Sequence, residues 1–214
     1  MASLVHLVRH AEVENPDHLV YASLPGFRLS ERGRRQARAA ARYLGSRPIV
    51  AVWSSPLERA LETAGVIAER AAAPVRVDSD LEEWRLAERW SGIRWEDLPD
   101  ERPGELEGYL EHPHDLPFSD ESLDDLARRM ADTVVALHHR HPEGDVVVVS
   151  HQDPVQAGRL RLTGGDLRRL NGDKPGHAAV ISLRPGSPWR EEVRWEPEEQ
   201  AEFPPRSAIT EDAE

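Results

Sequence analysis

The stretch that decides the reading is "LVHLVRHAEVENP", Leu4 to Pro16. Leu4, Val5, Leu7 and Val8 make an apolar run of strand length. It passes without a break into Arg9 and His10, with an acidic and polar turn behind them. Arginine is seldom fully buried unless it is paired. An Arg-His pair at the end of such a strand is therefore either incidental surface or one half of a site.

Similar apolar runs recur at Ile49–Trp53, Val75–Val77, Val146–Val149 and Ala178–Leu183, with a weaker one at Glu192–Trp195. Helical patterns lie between them. Ser30 is a good N-cap for "ERGRRQARAAARYLG", whose Ala37, Ala40, Ala41 and Leu44 share one face. Pro56 suits a helix start before "LERALETAGVIAERAA". "SLDDLARRMADTVVALHHRH" opens on Ser122 and closes at Pro142. Strands alternating with helices predict a three-layer α/β fold, with a mostly parallel central sheet flanked by helices. Glu83 to Glu121, rich in Trp, Pro and acid, departs from the alternation and reads as a small cap insertion at about 84–121. The expected organisation is one catalytic domain over 1–196 and a mobile acidic tail over 197–214.

A chain of 214 residues with 39% hydrophobic residues suffices for one sizeable core. Its net charge of -12 argues against nucleic-acid or anionic-membrane partners, which are held by Lys and Arg. A small anionic substrate stays open, because screening confines the global repulsion to about 8 Å. The chain has no Cys, hence no disulfide, thiolate chemistry or Cys-based zinc site. No charged leader with a long apolar run opens it, so the expected location is the cytoplasm. Lys174 is the only lysine, so nearly all cationic work falls to Arg. Oligomeric state is not legible.

Ligands of an open parallel sheet bind beyond the carboxyl ends of its strands. The first strand ends in Arg9-His10, the second in Ser54-Ser55-Pro56 with Arg59 a turn further on, and the fourth in Ser150-His151. If these strands are neighbours, two Arg and two His converge into a polyanion trap in which one imidazole can act as nucleophile. Phosphoryl transfer needs positioning and cationic stabilisation. Arg9, Arg59 and His151 could supply both without a metal or cofactor, since guanidinium forks match phosphate oxygens. A proton donor for the leaving alkoxide is found in "DSDLEEW", as Glu82 or Glu83. Ser54, Ser55 and Ser150 read as turn and capping residues. His112, His114, His138, His139 and His141 lack the carboxylate or Cys company of common metal sites and read as surface histidines. Trp84, Trp90, Trp95, Tyr109 and Phe118 could line a substrate pocket or pack the cap onto the sheet, with Trp84 favouring packing.

"LVRHAE", "LSERGRRQA", "SSPLERALETA", "DLEEW…WSG" and "VVVVSHQ", in this order, resemble the histidine phosphatase superfamily of phosphoglycerate-mutase-like fold. The resemblance spans roughly Leu4 to Leu183. It implies a metal-independent phosphatase acting on a small phosphomonoester. His10 would become phosphohistidine, and Arg9, Arg59 and His151 would bind the phosphoryl group. The family's Leu-x-Glu pattern falls on Leu81-Glu82-Glu83 and selects Glu83 as acid, then base. A phosphate-contacting Asn usually lies six residues after the nucleophile; by the resemblance Asn15, five after, would take that place. Ala11 and Gln152 stand where glycines are common, and Val13 where a hydroxyl residue is. The alternatives are a phosphoglycerate-type mutase, whose insertion is usually longer and more basic, and a non-catalytic phosphate-binding relative.

Overall fold

The computed structural model describes residues 3–198. Every apolar run named above becomes a strand of one sheet. The elements follow as β1 (Val5–Arg9), α1 (Glu31–Leu44), β2 (Ile49–Ser54), α2 (Glu58–Ala71), β3 (Val75–Val77), α3 (Leu86–Arg89), α4 (Leu98–Glu101), α5 (Glu105–Glu111), α6 (Leu123–Arg140), β4 (Asp145–Ser150), α7 (Gln152–Thr163), β5 (Val180–Arg184) and β6 (Arg190–Trp195). The strand order is β3-β2-β4-β1-β5-β6. β3, β2, β4 and β1 are mutually parallel, whereas β5 runs antiparallel to β1 and β6 antiparallel to β5. The sheet is thus mostly parallel with an antiparallel pair at one edge.

Both faces of the sheet are covered, which is why its central strands are apolar without alternation. Val8, Val52, Val147 and Val149 pack against Ala37, Ala40, Leu44, Ala60 and Ile67 of α1 and α2. Leu7, Val146, Val148 and Ile181 pack on the other side against Met130, Val134 and Leu137 of α6 and Val155 of α7. Ser30 caps α1 by accepting from the Gly33 N–H at 2.9 Å. Gly33 is required there: a Cβ on it would lie 1.9 Å from the Glu12 carbonyl oxygen. The first turn of α1 therefore abuts the loop that follows His10.

The cap, α3 to α5, has its own apolar cluster. Trp84, Leu86, Trp90, Leu98, Leu106 and Tyr109 meet Leu126 and Ala127 of α6, Ala157 of α7 and Leu170. Trp84 is buried and its indole N–H donates to the Glu121 carbonyl at 2.8 Å. Packing is thus the role of Trp84, Trp90 and Tyr109 in the main, while Trp95 and Phe118 are half-buried against the same cluster. His112, His114 and His139 are exposed, and His138 and His141 half-buried. Of the expected tail, Pro197 is buried and Glu198 exposed; the rest lies outside the described residues.

At the opposite end of the sheet, Asp145 joins three segments. It accepts from the Leu4 N–H at 2.7 Å and bonds His6 Nε2 at 3.1 Å, while His6 Nδ1 meets Ser182 Oγ at 2.8 Å. Burial pushes the Asp145 carboxyl up, but the His6 and Leu4 bonds outweigh it and hold the group below its ordinary 3.8. A depressed carboxyl contributes stability above its unfolded pKa and loses it as pH falls through the folded one. Thermal unfolding between pH 5 and 3 should therefore fall more steeply in wild type than in Asp145→Asn. Asp145→Ala, which leaves two buried donors unpaired, should cost about 3 kcal/mol in urea titration.

Candidate active site

The sheet register assembles the site. Arg9 is paired with Ser150 and Ser54 with Val149, so His10, His151 and Ser55 leave three adjacent strands side by side. The His10 and His151 ring centroids are 5.2 Å apart. Arg59, in the first turn of α2, is buried and reaches the same place from beside β2. The convergence expected of Arg9, His10, Arg59 and His151 is what the fold produces.

His10 Nδ1 lies 2.8 Å from the Ala11 carbonyl oxygen. A carbonyl only accepts, so the proton sits on Nδ1 and Nε2 carries a free lone pair. Burial, then Arg59, His151, Arg9 and His177, hold the imidazole well below its ordinary pKa, so it stays neutral. Ala11 is accommodated because its backbone is not left-handed; its N–H donates to Thr63 Oγ1 at 3.0 Å. Thr63 in turn donates to the Arg59 carbonyl, tying the nucleophile loop to α2.

Both guanidiniums are pinned at one end. Arg9 donates to the Pro175 carbonyl at 3.0 Å and to His177 Nε2 at 2.8 Å. Arg59 donates to the Ala22 carbonyl at 2.9 Å and stacks 4.6 Å from the Tyr21 ring centre. His151 Nε2 faces Ser55 Oγ at 2.8 Å, and that oxygen also accepts from the Leu57 N–H. When the Ser55 hydroxyl donates to Nε2, the His151 proton lies on Nδ1. Among the described residues, the buried side-chain nitrogens without a hydrogen-bond partner are Arg9 Nε, Arg59 Nε, His151 Nδ1 and Arg102 Nε. An unpartnered buried donor costs about 1–3 kcal/mol. Three of the four belong to the residues expected to hold a phosphoryl group, and an oxyanion would satisfy them.

Glu83 is delivered by a chain of contacts. Ser150 Oγ donates to the Leu81 carbonyl at 2.7 Å, and Arg129 donates to the Asp80 and Glu82 carbonyls at 2.7 and 3.1 Å. Arg129 also forks onto the buried Glu121 carboxylate at 2.8 and 3.0 Å. Glu83 Oε1 accepts from the Trp84 N–H at 2.8 Å. Burial first, and the Asp153 carboxylate second, raise the Glu83 carboxyl to about 7, against the opposing pull of the Trp84 N–H, Arg59 and Arg9. Arg129→Met should cost about 3–5 kcal/mol by stranding Glu121. Because it also loosens the turn and lets water reach Glu83, the alkaline limb of activity should move to lower pH, read from a kcat/KM profile.

Asn15 bonds within its own loop. Its Nδ2 donates to the Leu19 carbonyl at 3.0 Å and its Oδ1 accepts from the Leu19 N–H at 3.1 Å, which closes the loop locally. Sequence reading missed three contributors. His177 orients Arg9, Tyr21 backs Arg59, and Asp153 with Lys174 joins Tyr109, already offered as a pocket aromatic, in a polar cluster beside Glu83. Ala22, Asp173 and Ala178 all have positive φ, at 35, 94 and 57°. These strained positions occur in the loops that carry the Arg59 acceptor, Lys174 and His177, as is common where a fold over-determines a site.

An α/β sheet that gathers two arginines, two histidines and an acid at its carboxyl edge defines a phosphate-handling fold. The pattern of the histidine phosphatase superfamily (branch 1) matches residues 5–196, and the chain belongs to that family. It is 35% identical over 169 residues to phosphoserine phosphatase 1 of Hydrogenobacter thermophilus, covering 77% of this chain and 78% of that protein. It is 32% identical over 207 residues to glucosyl-3-phosphoglycerate phosphatase of Mycobacterium tuberculosis, covering 88% and 90%. A solved structure of the mycobacterial glucosyl-3-phosphoglycerate phosphatase with VO3 superposes with a TM-score of 0.80 at 31% identity, over 90% of this chain and 98% of that one. Among the described residues, no helix is long and apolar enough to cross a membrane.

Proposed function

We propose that this chain is a metal-independent phosphatase that hydrolyses a small phosphomonoester through a phosphohistidine on His10. The observation that carries the reading is the Nδ1–H···Ala11 bond, which leaves Nε2 as a lone pair inside a cradle of two pinned arginines. The phosphoryl oxygens would be held by Arg9, Arg59 and His151 Nδ1–H. Nε2 attacks phosphorus in line, the ester P–O bond breaks, and protonated Glu83 gives its proton to the leaving oxygen. Glu83, now a carboxylate, takes a proton from water as the water attacks phosphorus. The P–N bond breaks and inorganic phosphate leaves with His10 neutral again.

The relatives' names point to phosphorylated carboxylic acids, phosphoserine and a phosphoglycerate derivative, as the substrate class. The test is to mix enzyme with 32P-labelled phosphoserine in EDTA and quench in alkali. Label that is stable to alkali and labile to acid, and absent in His10→Ala, is the expected result. Label passed to a second hydroxyl compound rather than to water would make the protein a mutase. No label and no turnover from folded protein would overturn the enzyme reading.

A further inference from the structure

The chain's only lysine lies at the edge of this pocket. Its neighbour Pro175 gives its carbonyl to Arg9 and, at 3.3 Å, to Gln152. Lys174 Nζ is 2.5 Å from Asp153 Oδ1, donates to the Tyr109 hydroxyl and sits 4.5 Å from the Tyr109 ring centre. Tyr109 OH donates to Asp153 at 3.0 Å. Asn171 ties the same loop to the Tyr109 carbonyl at 2.5 Å, and Asp173, just before the lysine, has φ 94°. The Lys174 side chain is 14% exposed. Asp153 stands two residues past His151 and within electrostatic reach of Arg9 and Glu83.

We propose that Lys174, held between Asp153 and Tyr109 at the rim of the phosphate pocket, is the residue that selects a leaving group bearing a carboxylate. An ammonium has three N–H groups. Asp153 and the Tyr109 hydroxyl take two, and the third serves a ligand anion. A compact point charge with one donor to spare can meet one oxygen of a leaving group's carboxylate. Asp153 and Tyr109 then fix where that donor points. The inference rests on the phosphatase reading for its place in the reaction, but its binding test does not.

The test compares D-3-phosphoglycerate with glycerol 3-phosphate, which differ only in carboxylate against hydroxymethyl. Affinities are measured by calorimetry in a His10→Ala background, where nothing turns over. The expected result is a preference for 3-phosphoglycerate of tenfold or more, falling below threefold when Lys174→Met is added and persisting with Lys174→Arg. Equal losses for both ligands on Lys174→Met would make the lysine a strap for the cap and overturn the proposal. So would the lack of any preference in the His10→Ala parent. Should Lys174→Met not fold, Lys174→Gln keeps a bond to Asp153 without the charge and reads the same ratio. Absent turnover of p-nitrophenyl phosphate by wild type would count against the phosphatase reading alone, leaving this ratio to decide its own question.

Discussion

His10→Ala should lose p-nitrophenyl phosphate turnover by about 10⁴-fold or more, while inorganic phosphate still binds. The two outcomes separate because the structure separates the two tasks. Nε2 of His10 supplies the attacking lone pair, and no other imidazole in the pocket offers one so freely. His151 has its Nε2 against Ser55, and His177 has its Nε2 against Arg9. The anion's partners, Arg9, Arg59 and His151, are held by Pro175, His177, Ala22 and Ser55 rather than by His10. Removing the imidazole therefore leaves the cradle in place. Calorimetry with inorganic phosphate and a colorimetric rate decide it, and substantial turnover in the variant would move the nucleophile elsewhere.

Glu83→Gln should lower kcat by about 10²- to 10⁴-fold for an alkyl phosphate such as phosphoserine. The loss should be smallest for p-nitrophenyl phosphate, whose phenolate leaves with little need of a proton. The sign of the pH dependence follows from the carboxyl's raised value. Phosphorylation of His10 needs Glu83 protonated, and that form is lost as pH rises through about 7. In wild type, kcat/KM should thus fall about tenfold per unit above that point, and in Glu83→Gln this limb should vanish. His10, kept neutral by burial and by Arg59, adds no limb on the mildly acid side. A wild-type profile flat from pH 6 to 9 with alkyl substrates would remove Glu83 from the acid's role.

The strands and the four-residue cradle were legible because each is a local signal. An apolar run marks a buried strand, and its first polar residues mark the sheet's carboxyl edge, so Arg9-His10 and Ser150-His151 declare themselves. α7 declares nothing. Its Pro154, Val155, Ala157, Gly158, Leu160 and Leu162 are buried on several sides, which erases the amphipathic period that revealed α1 and α6. His177 was hidden for a different reason. It follows Pro175-Gly176 in a loop, and only the antiparallel turn of β5 against β1 brings it onto Arg9. The Lys174–Asp153–Tyr109 cluster draws on three segments, so no local pattern could announce it. Asn15 shows the converse: a residue suggested by likeness, whose amide bonds are those of the local turn.

The place of β1 in the sheet also says when the molecule can begin to work. β1 is the first strand made, yet its ladder partners are β4 and β5, from residues 145–150 and 180–184, and not β2. On the ribosome, an apolar segment carrying the nucleophile must wait with both edges unpaired until nearly the whole domain has emerged. Such late, long-range closure slows folding and exposes sticky surface meanwhile. Nascent chains stalled before residue 145 should hold no phosphate pocket and should recruit chaperones, whereas those extended past β5 should need none.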